Sequence, residues 1–308
     1  VSTRVVGIDL GGTKVAAAEL DGRTLAQSVI EPTDCSSTQT LLDQLVAIVA
    51  RARGEQLDAV GIGVPSVVEF TTGRVVSSVN IPLTDVPLRE VLSERLGVPV
   101  FVDNDATVAA LAEAHDEELR LVARELVMLT IGTGVGGGLV LGGQIYRGAT
   151  GGAAELGHTI IGLDIADRVP KPEGFPQPGS LESLASGHAL DRLAGHPGPE
   201  TVQAAHDGDA QAQAYVEQWA ERIGIGVANA INTFDPQEVV IGGGGARAGD
   251  LLLEPARRIA QGYVVPGLGA RTTIRLARHG VRAGVLGAAL LAEQEIGHRR
   301  ADAASSVT

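Results

Sequence analysis

The sequence predicts an α/β fold built from two related halves, and two observations carry that expectation. A hydrophobic strand twice runs into a glycine turn carrying a threonine and leaves as a second apolar segment. The first copy is VVGIDLGGTKVAAAEL, around Asp9 to Lys14; the second is LVMLTIGTGVGGGLVLGG, around Thr130 to Gly138. Glycines in such turns reach backbone conformations that other residues avoid, and they let amide N–H groups close on phosphate oxygens with no Cβ in the way. Two copies in one chain imply two half-molecules facing one nucleotide. The second observation is that segments of strand and helix period alternate along the chain, the pattern of mixed α/β domains.

The elements follow in order. Arg4 to Ile8 and Val15 to Leu20 read as a hairpin about the DLGGTK turn, because β-branched residues and alanines dominate and Asp21-Gly22 supplies the next turn. Leu41 to Arg53 has helical period. Ala59 to Val64 is a buried strand ending in Gly63-Val64-Pro65-Ser66; Leu88 to Leu96 is a short helix before the strand Val98 to Val102. Asp103-Asn104-Asp105 then caps a helix from Ala106 to about Ala114, with acids at the end that the helix dipole favours. The charged stretch Asp116 to Glu125 is the expected crossing between domains, and with the segment before the last helix the expected hinge. From Ile165 to Ser180 four prolines and no period predict a loop. Helices are expected over Leu181 to Ala194, Glu200 to Asp207 and Ala210 to about Asp235. The strand Glu238 to Ile241 leads into Gly242 to Gly245, a helix from about Gly284 to Gly297 closes the fold, and Arg299 to Thr308 reads as a frayed tail.

Composition bounds the function classes. The 308 residues, 44% hydrophobic and 20% charged, suffice for one large or two ordinary domains. Glycine, at 41 residues, is about twice its usual share of roughly 7% and clusters at strand ends, which points to tight turns. Lys and Arg total 24 against 37 Asp and Glu, a net charge of −13 that opposes binding to nucleic acid or anionic membrane. Cys35 is the sole cysteine, so neither an internal disulfide nor a cysteine-rich metal site can form within one chain. No leader-like segment or membrane span is legible, and a soluble cytoplasmic protein is expected. The run Gly132-Thr133-Gly134-Val135-Gly136-Gly137 satisfies G-x-G-x-x-G, but it continues as a strand where a dinucleotide fingerprint opens a helix. DLGGTK lacks the spacing of a Walker loop.

DLGGTK, VDNDA at Val102 to Ala106, IGTGVGGG at Ile131 to Gly138 and GGAAELGH at Gly151 to His158, in this order, resemble the ROK family of bacterial sugar kinases within the actin/hexokinase-like ATPase superfamily. The resemblance runs from about Val5 to about Leu291. It implies two actin-like (ribonuclease H-like) domains with an interdomain cleft, a small one at 1–115 with a C-terminal helix at about 288–308, and a larger one at 116–287. It also implies an ATP-dependent hexose kinase, most simply a glucokinase-like enzyme acting on the 6-hydroxyl, using ATP and Mg2+ and assembling as a homodimer or homotetramer. Kinases of other hexoses or N-acetylated sugars, polyphosphate as donor, a non-catalytic sugar-sensing regulator and a sugar-binding pseudokinase are the competing readings. A regulator would carry a helix-turn-helix ahead of the fold, whereas this chain reaches its first strand within four residues; Asp9, Gly11, Gly12 and Asp105 oppose a pseudokinase.

Phosphoryl transfer to a hydroxyl needs a carboxylate near the acceptor oxygen, metal and amides on the phosphates, and a dry, aligned site. Asp105, at a strand-to-helix corner where the helix N-terminus favours its ionised form, suits the first role, and by resemblance it is the catalytic base. The plainer reading makes Asp103, Asn104 and Asp105 cap residues only. By resemblance Asn104, Glu155, His158 and Glu182 grip sugar hydroxyls, with Ser66 and Asn80 looser matches, Ser66 standing where the family has glycine. Asp9 would hold magnesium through water. Gly11, Gly12, Thr13, Thr133 and Gly134 would line the phosphates, Gly243 and Gly244 the adenosine side, and Lys14 is either a phosphate contact or an ordinary solvated charge.

The chain departs from the family at one loop. The family's zinc motif, C-x-C-G-x-x-G-C-x-E with a histidine upstream, is here Glu173, Phe175 and Ser180 at the cysteine positions, anchored on Glu182. No structural zinc is expected; instead Pro170, Pro172, Pro176 and Pro178 would stiffen the loop and Phe175 would pack inward.

Overall fold

The computed structural model describes residues 3–78, 80–166, 168–172 and 174–305. Along the chain run β1 (Arg4–Leu10), β2 (Lys14–Asp21), β3 (Thr24–Leu25), β4 (Val29–Pro32), α1 (Thr38–Ala52), β5 (Ala59–Val64), β6 (Ser66–Glu69), β7 (Arg74–Ser78), α2 (Leu88–Leu96), β8 (Val100–Asn104) and α3 (Asp105–Glu113). Then come β9 (Leu126–Ile131), β10 (Val135–Leu141), β11 (Gln144–Ile145), α4 (Leu181–Ala185), α5 (Gly187–Ala194), α6 (Gly198–His206), α7 (Ala210–Phe234), β12 (Glu238–Gly242), α8 (Asp250–Tyr263), β13 (Thr273–Leu276) and α9 (Ala283–Ser305). The chain forms two compact units, the first from residues 1–122, 144–153 and 281–308, the second from 123–143 and 154–280. Residues 144–153, which the sequence reading puts in the second domain, group with the first because Arg147 pairs there with Asp103 and Glu295.

In the first unit a sheet runs β3-β2-β1-β5-β8. β1 and β2 pair antiparallel, whereas β1, β5 and β8 are parallel. Side chains alternate across a strand, so Val6, Ile8 and Leu10 join Val60, Ile62, Val64, Val100 and Val102 in a core with Leu41, Leu45 and Ile48 of α1 and Leu88 and Leu92 of α2. The opposite face is strung with Gly7, Gly61 and Gly63, and α9 and α3 cover it. A Cβ on Gly7 would overlap the backbone of Val285 and Ala289, and one on Gly61 would overlap the carbonyl of Ala288. Helix backbone therefore sits directly on strand backbone.

The second unit repeats the plan. β9 and β10 form an antiparallel hairpin, β9 and β12 are parallel, and β12 and β13 are parallel. One face of this sheet, with Val127, Leu129, Ile131, Val239 and Ile241, packs on the long helix α7 through Val216, Trp219, Ile223 and Val227. The Trp219 indole N–H donates to the Ala185 and Ser186 carbonyls at 2.8 and 3.1 Å, which satisfies the one polar atom of that large side chain.

Several boundaries differ from the sequence reading. The first helix begins at Thr38 because Ser37 caps it, accepting from the Thr40 N–H. The strand expected at Val98 starts two residues later and runs into Asn104. The single helix expected over Leu181 to Ala194 breaks at Ser186, whose extended backbone ends α4 while its hydroxyl caps α5. As far as Ser305 the expected tail is helical: the Arg300 guanidinium binds Asp58 at 2.7 Å and that of Arg299 lies 4.7 Å from the centre of the Phe101 ring, so the start of this segment has partners; residues 306–308 lie outside the described ones. Among the described residues no helix is long and apolar enough to cross a membrane.

Glycine-to-alanine substitution separates close approach from open space. Gly61→Ala forces the β5–α9 contact apart, with an expected destabilisation of about 2–3 kcal/mol by denaturant unfolding, the scale of overpacking a core. Gly297→Ala, exposed within α9 with no atom near its would-be Cβ, is expected to gain about 0.5–1 kcal/mol from helix propensity. Equal effects of the two would contradict the packing.

Candidate functional site

Each unit gathers its own share of the candidate residues. In the first unit the turn after β1 closes through the Gly11 N–H to the Lys14 carbonyl, 2.9 Å, and is buttressed by Thr33, whose hydroxyl donates to the Gly11 carbonyl at 2.6 Å. Asn80 lies against this turn, since a Cβ on Gly12 would stand 3.0 Å from the Asn80 Cβ. Thr13 and Lys14 are exposed. Asp9 ends β1 under the first turn of α9, where a Cβ on Gly284 would come within 2.5 Å of the Asp9 carboxyl carbon. Burial pushes the Asp9 pKa up, and the nearby Lys14 ammonium partly offsets this.

The β8–α3 corner carries the remaining first-unit candidates. Asn104 is the N-cap: its Oδ1 accepts from the Ala106 and Thr107 N–H groups at 3.0 and 3.3 Å, and its Nδ2 donates to the Ser66 carbonyl at 3.4 Å. The Ser66 hydroxyl is buried and donates to that of Ser78 at 2.9 Å. Asp105 is the first helical residue, and its Oδ1 accepts from the Ala106 N–H at 2.8 Å. The sequence reading has the helix N-terminus favouring its ionised form. Burial instead raises the Asp105 pKa to about 6, assisted by the negative charge of Asp9 and only partly offset by the Ala106 N–H. Of the three residues read together as caps, one caps with its side chain. Asp103 is 4% exposed and pairs with Arg147, Nε to Oδ2 at 2.7 Å. No motif in the sequence marks Arg147 or Gly284, because what makes each matter is a tertiary contact.

In the second unit the β9–β10 turn is held from two sides. The Gly187 N–H donates to the Gly132 carbonyl at 2.7 Å, and Glu182 Oε2 accepts the Val135 N–H at 2.8 Å. Glu182 also abuts Gly134, where a Cβ would overlap its carboxylate. Thr133, Gly134 and Glu182 therefore form one cluster. Gly243, with φ of 79°, packs on the Ile131 backbone at the root of the same turn, and Gly244 opens the short 3-10 segment Gly244–Ala248. Glu155 and His158 flank another 3-10 turn, Leu156–His158, with Nε2 3.6 Å from Glu155 Oε2; His158 Nδ1 is buried without a hydrogen-bond partner.

The zinc loop implied by the resemblance does not fit the metal. Ser180 is fully buried and caps α4, its hydroxyl accepting from the Ser183 N–H at 3.1 Å. Among the described residues no group of three or more His, Cys, Asp or Glu converges, and Glu173 lies outside them. Phe175 does not pack inward as expected: it is 77% exposed, and its ring lies 4.6 Å from that of His158. The loop is closed by backbone, the Ile161 and Gly162 N–H groups donating to the Gly179 carbonyl and the Leu181 N–H to that of Thr159.

Comparison with known proteins places this architecture. The model of the ROK family matches residues 5–295. A glucokinase of Halalkalibacterium halodurans is 32% identical, the match covering 94% of this chain and 95% of that protein. An N-acetyl-D-glucosamine kinase of Escherichia coli O157:H7 is 36% identical over 92% of this chain and 98% of its own length. A ROK family glucokinase from Streptomyces griseus, solved in complex with glucose and AMPPNP, superposes with a TM-score of 0.77 at 30% identity, covering 96% of this chain and all of that one. The two α/β units, each a glycine hairpin beside parallel strands, are those of a sugar kinase fold, and the chain belongs to the ROK family.

Proposed function

We propose that this protein is an ATP-dependent hexose kinase that transfers the γ-phosphoryl group to the 6-hydroxyl of glucose, with Asp105 as general base. The observation that carries the reading is Asp105 itself: a mostly buried carboxylate, at the start of a helix and beside a second acid, with a pKa of about 6. A base poised just below neutral pH is ionised when it must accept a proton and basic enough to take one. Asp105 takes the hydroxyl proton, the sugar oxygen forms its bond to phosphorus, and the bond from phosphorus to the β–γ bridging oxygen breaks to release ADP.

The other residues bind and orient. Asn104, with its carbonyl committed to the α3 backbone, offers its amide N–H to a sugar hydroxyl, and Ser66, Asn80, Glu155, His158 and the free oxygen of Glu182 complete the sugar contacts. Charged acceptors suit hydroxyl-rich ligands because such hydrogen bonds are stronger than neutral ones. The amides of Gly12 and Thr13, in the turn that the Gly11 N–H closes onto the Lys14 carbonyl, and those of Thr133 and Gly134 would take phosphate oxygens, Gly243 and Gly244 the adenosine side, and Lys14 would add positive charge. Asp9 would hold, through water, a magnesium ion bound with the nucleotide, and such an ion would supply charge neutralisation on the phosphates. A homodimer or homotetramer is the expected assembly.

Glucose as acceptor is supported by the glucokinase relatives, and N-acetylglucosamine competes because a relative bearing that name is 36% identical. A coupled assay over glucose, mannose, fructose, allose, N-acetylglucosamine and N-acetylmannosamine, with ATP, other nucleotides and polyphosphate, decides between them. The highest kcat/KM is expected for glucose with ATP; a higher value for N-acetylglucosamine reassigns the acceptor, and no hexose-dependent turnover removes the reading.

Asp105→Asn is expected to lower kcat by about 100-fold or more while glucose affinity stays within a few-fold, since amide and carboxylate are nearly isosteric and only the proton acceptor is lost. Retention of a tenth of kcat would move the base elsewhere.

The pH profile has a definite sign. The base works when ionised, so kcat/KM should rise with pH and level off above an apparent pKa near 6, set by the burial of Asp105. An acid limb near 4 would mean that burial does not perturb Asp105. Stability runs the other way. A carboxyl whose folded pKa is raised from 3.8 stabilises the fold when protonated and loses that contribution as pH rises to about 6. Asp105→Asn should therefore be more stable than the parent at pH 7, by on the order of 1–3 kcal/mol, and the difference should vanish below pH 4.

A further inference from the structure

Arg147 makes three dissimilar contacts in the first unit. Its Nε donates to Asp103 Oδ2 at 2.7 Å, its Nη2 lies 3.3 Å from Glu295 Oε1 on α9, and its guanidinium carbon stands 3.4 Å from the centre of the Phe70 ring. A planar guanidinium can serve two carboxylates along its edge while an aromatic ring covers its face, which an ammonium cannot do. Phe70 is held in turn by Arg89, which donates to the Phe70 and Thr71 carbonyls.

The other oxygen of Asp103 binds backbone. Oδ1 accepts the Asn104 N–H at 2.9 Å, so one carboxylate joins Arg147 to the backbone of the residue that caps α3 and precedes Asp105. A relay results: Arg147 fixes Asp103, Asp103 fixes the Asn104 peptide, and the Asn104 side chain fixes both the first turn of α3 and its own bond to the Ser66 carbonyl. The loop bearing Arg147 is itself anchored in this unit, since the Ala153 N–H donates to the Arg147 carbonyl at 3.1 Å and a Cβ on Gly151 would meet the Val68 carbonyl at 2.5 Å.

We propose that Arg147 is a positioning residue for phosphoryl transfer, acting through Asp103 to aim Asn104 and Asp105. The inference rests on the kinase reading above. An ion pair that only braced the fold would lower stability and leave turnover per folded molecule unchanged; a positioning pair changes kcat and does so through Asp103.

The test is a double-mutant cycle on Arg147→Met and Asp103→Asn, read as kcat, KM for glucose, KM for ATP and melting temperature. Methionine keeps an apolar stem against Phe70 and leaves the Asp103 carboxylate buried without its partner. Arg147→Met should lose at least tenfold in kcat/KM for glucose, mostly in kcat, with KM for ATP within about twofold. The double variant should recover most of that loss, because an asparagine Oδ1 still accepts the Asn104 N–H and carries no charge to compensate. Should Arg147→Met not fold, Asp103→Asn and the double variant suffice: they should agree within about threefold, since without the carboxylate the guanidinium has nothing to steer. Arg147→Met with parental kcat, a double variant no better than the single, or a further tenfold loss on removing Arg147 from Asp103→Asn would each overturn the proposal. A parent protein without hexose-dependent turnover would instead overturn the kinase reading.

Discussion

The first unit depends on backbone meeting backbone. α9 lies with its backbone against β1 and β5 at Gly7 and Gly61, which leave no Cβ in the way, and α3 meets α9 in the same manner where a Cβ on Gly287 would overlap the Val108 carbonyl. Such contacts are intolerant in a way that leucine-filled cores are not, since a methyl group has nowhere to go and the elements must separate. The tolerance is narrow around two mostly buried acids. Asp9 shares the face of β1 that carries Gly7 and so ends beneath the first turn of α9, and Asp105 begins the helix that α9 clamps from the other side.

The duplicated hairpin shows how one plan serves two tasks. In register, Asp9 pairs with Ala16 across its hairpin and with Gly63 on the parallel strand; Thr130 pairs with Gly136 and with Gly242. Thr130 thus occupies in the second unit the place of Asp9 in the first. One half sets a carboxylate at this strand position and the other an uncharged hydroxyl. The glycine turns differ as well: the first is propped by Thr33, the second by a glutamate on its amide.

The local features were legible in the sequence and the long-range ones were not. Glycine hairpins, the β8–α3 corner and the end of α7 near Asp235 announce themselves within a few residues, because turn and cap chemistry is local. The break at Ser186 was missed because a single capping serine inside an otherwise helical stretch leaves the hydrophobic period intact. The frayed-tail reading failed for the opposite reason: its composition is polar, and only Asp58 and Phe101, some two hundred residues away in sequence, give Arg300 and Arg299 their partners. Phe175 is expected inward because it stands at a cysteine position of the family's zinc motif, whereas backbone hydrogen bonds between Thr159–Gly162 and Gly179–Leu181 already close the loop and leave the ring outside, against His158. The upward shift of Asp105 was unreadable because burial, not the helix end, dominates there.

If the seating of α9 on glycine sets the acidic pair, then a single methyl group at the right place on that helix should damage catalysis. Gly284→Ala is that change, because the new Cβ would come within 2.5 Å of the Asp9 carboxyl carbon. The measurement is hexose-dependent ATP turnover by purified Gly284→Ala, alongside its unfolding curve. At least a tenfold fall in kcat is expected, in a protein that still unfolds cooperatively. A variant with parental kcat and an intact fold would show that the carboxylates do not owe their placement to this helix, and would contradict the account.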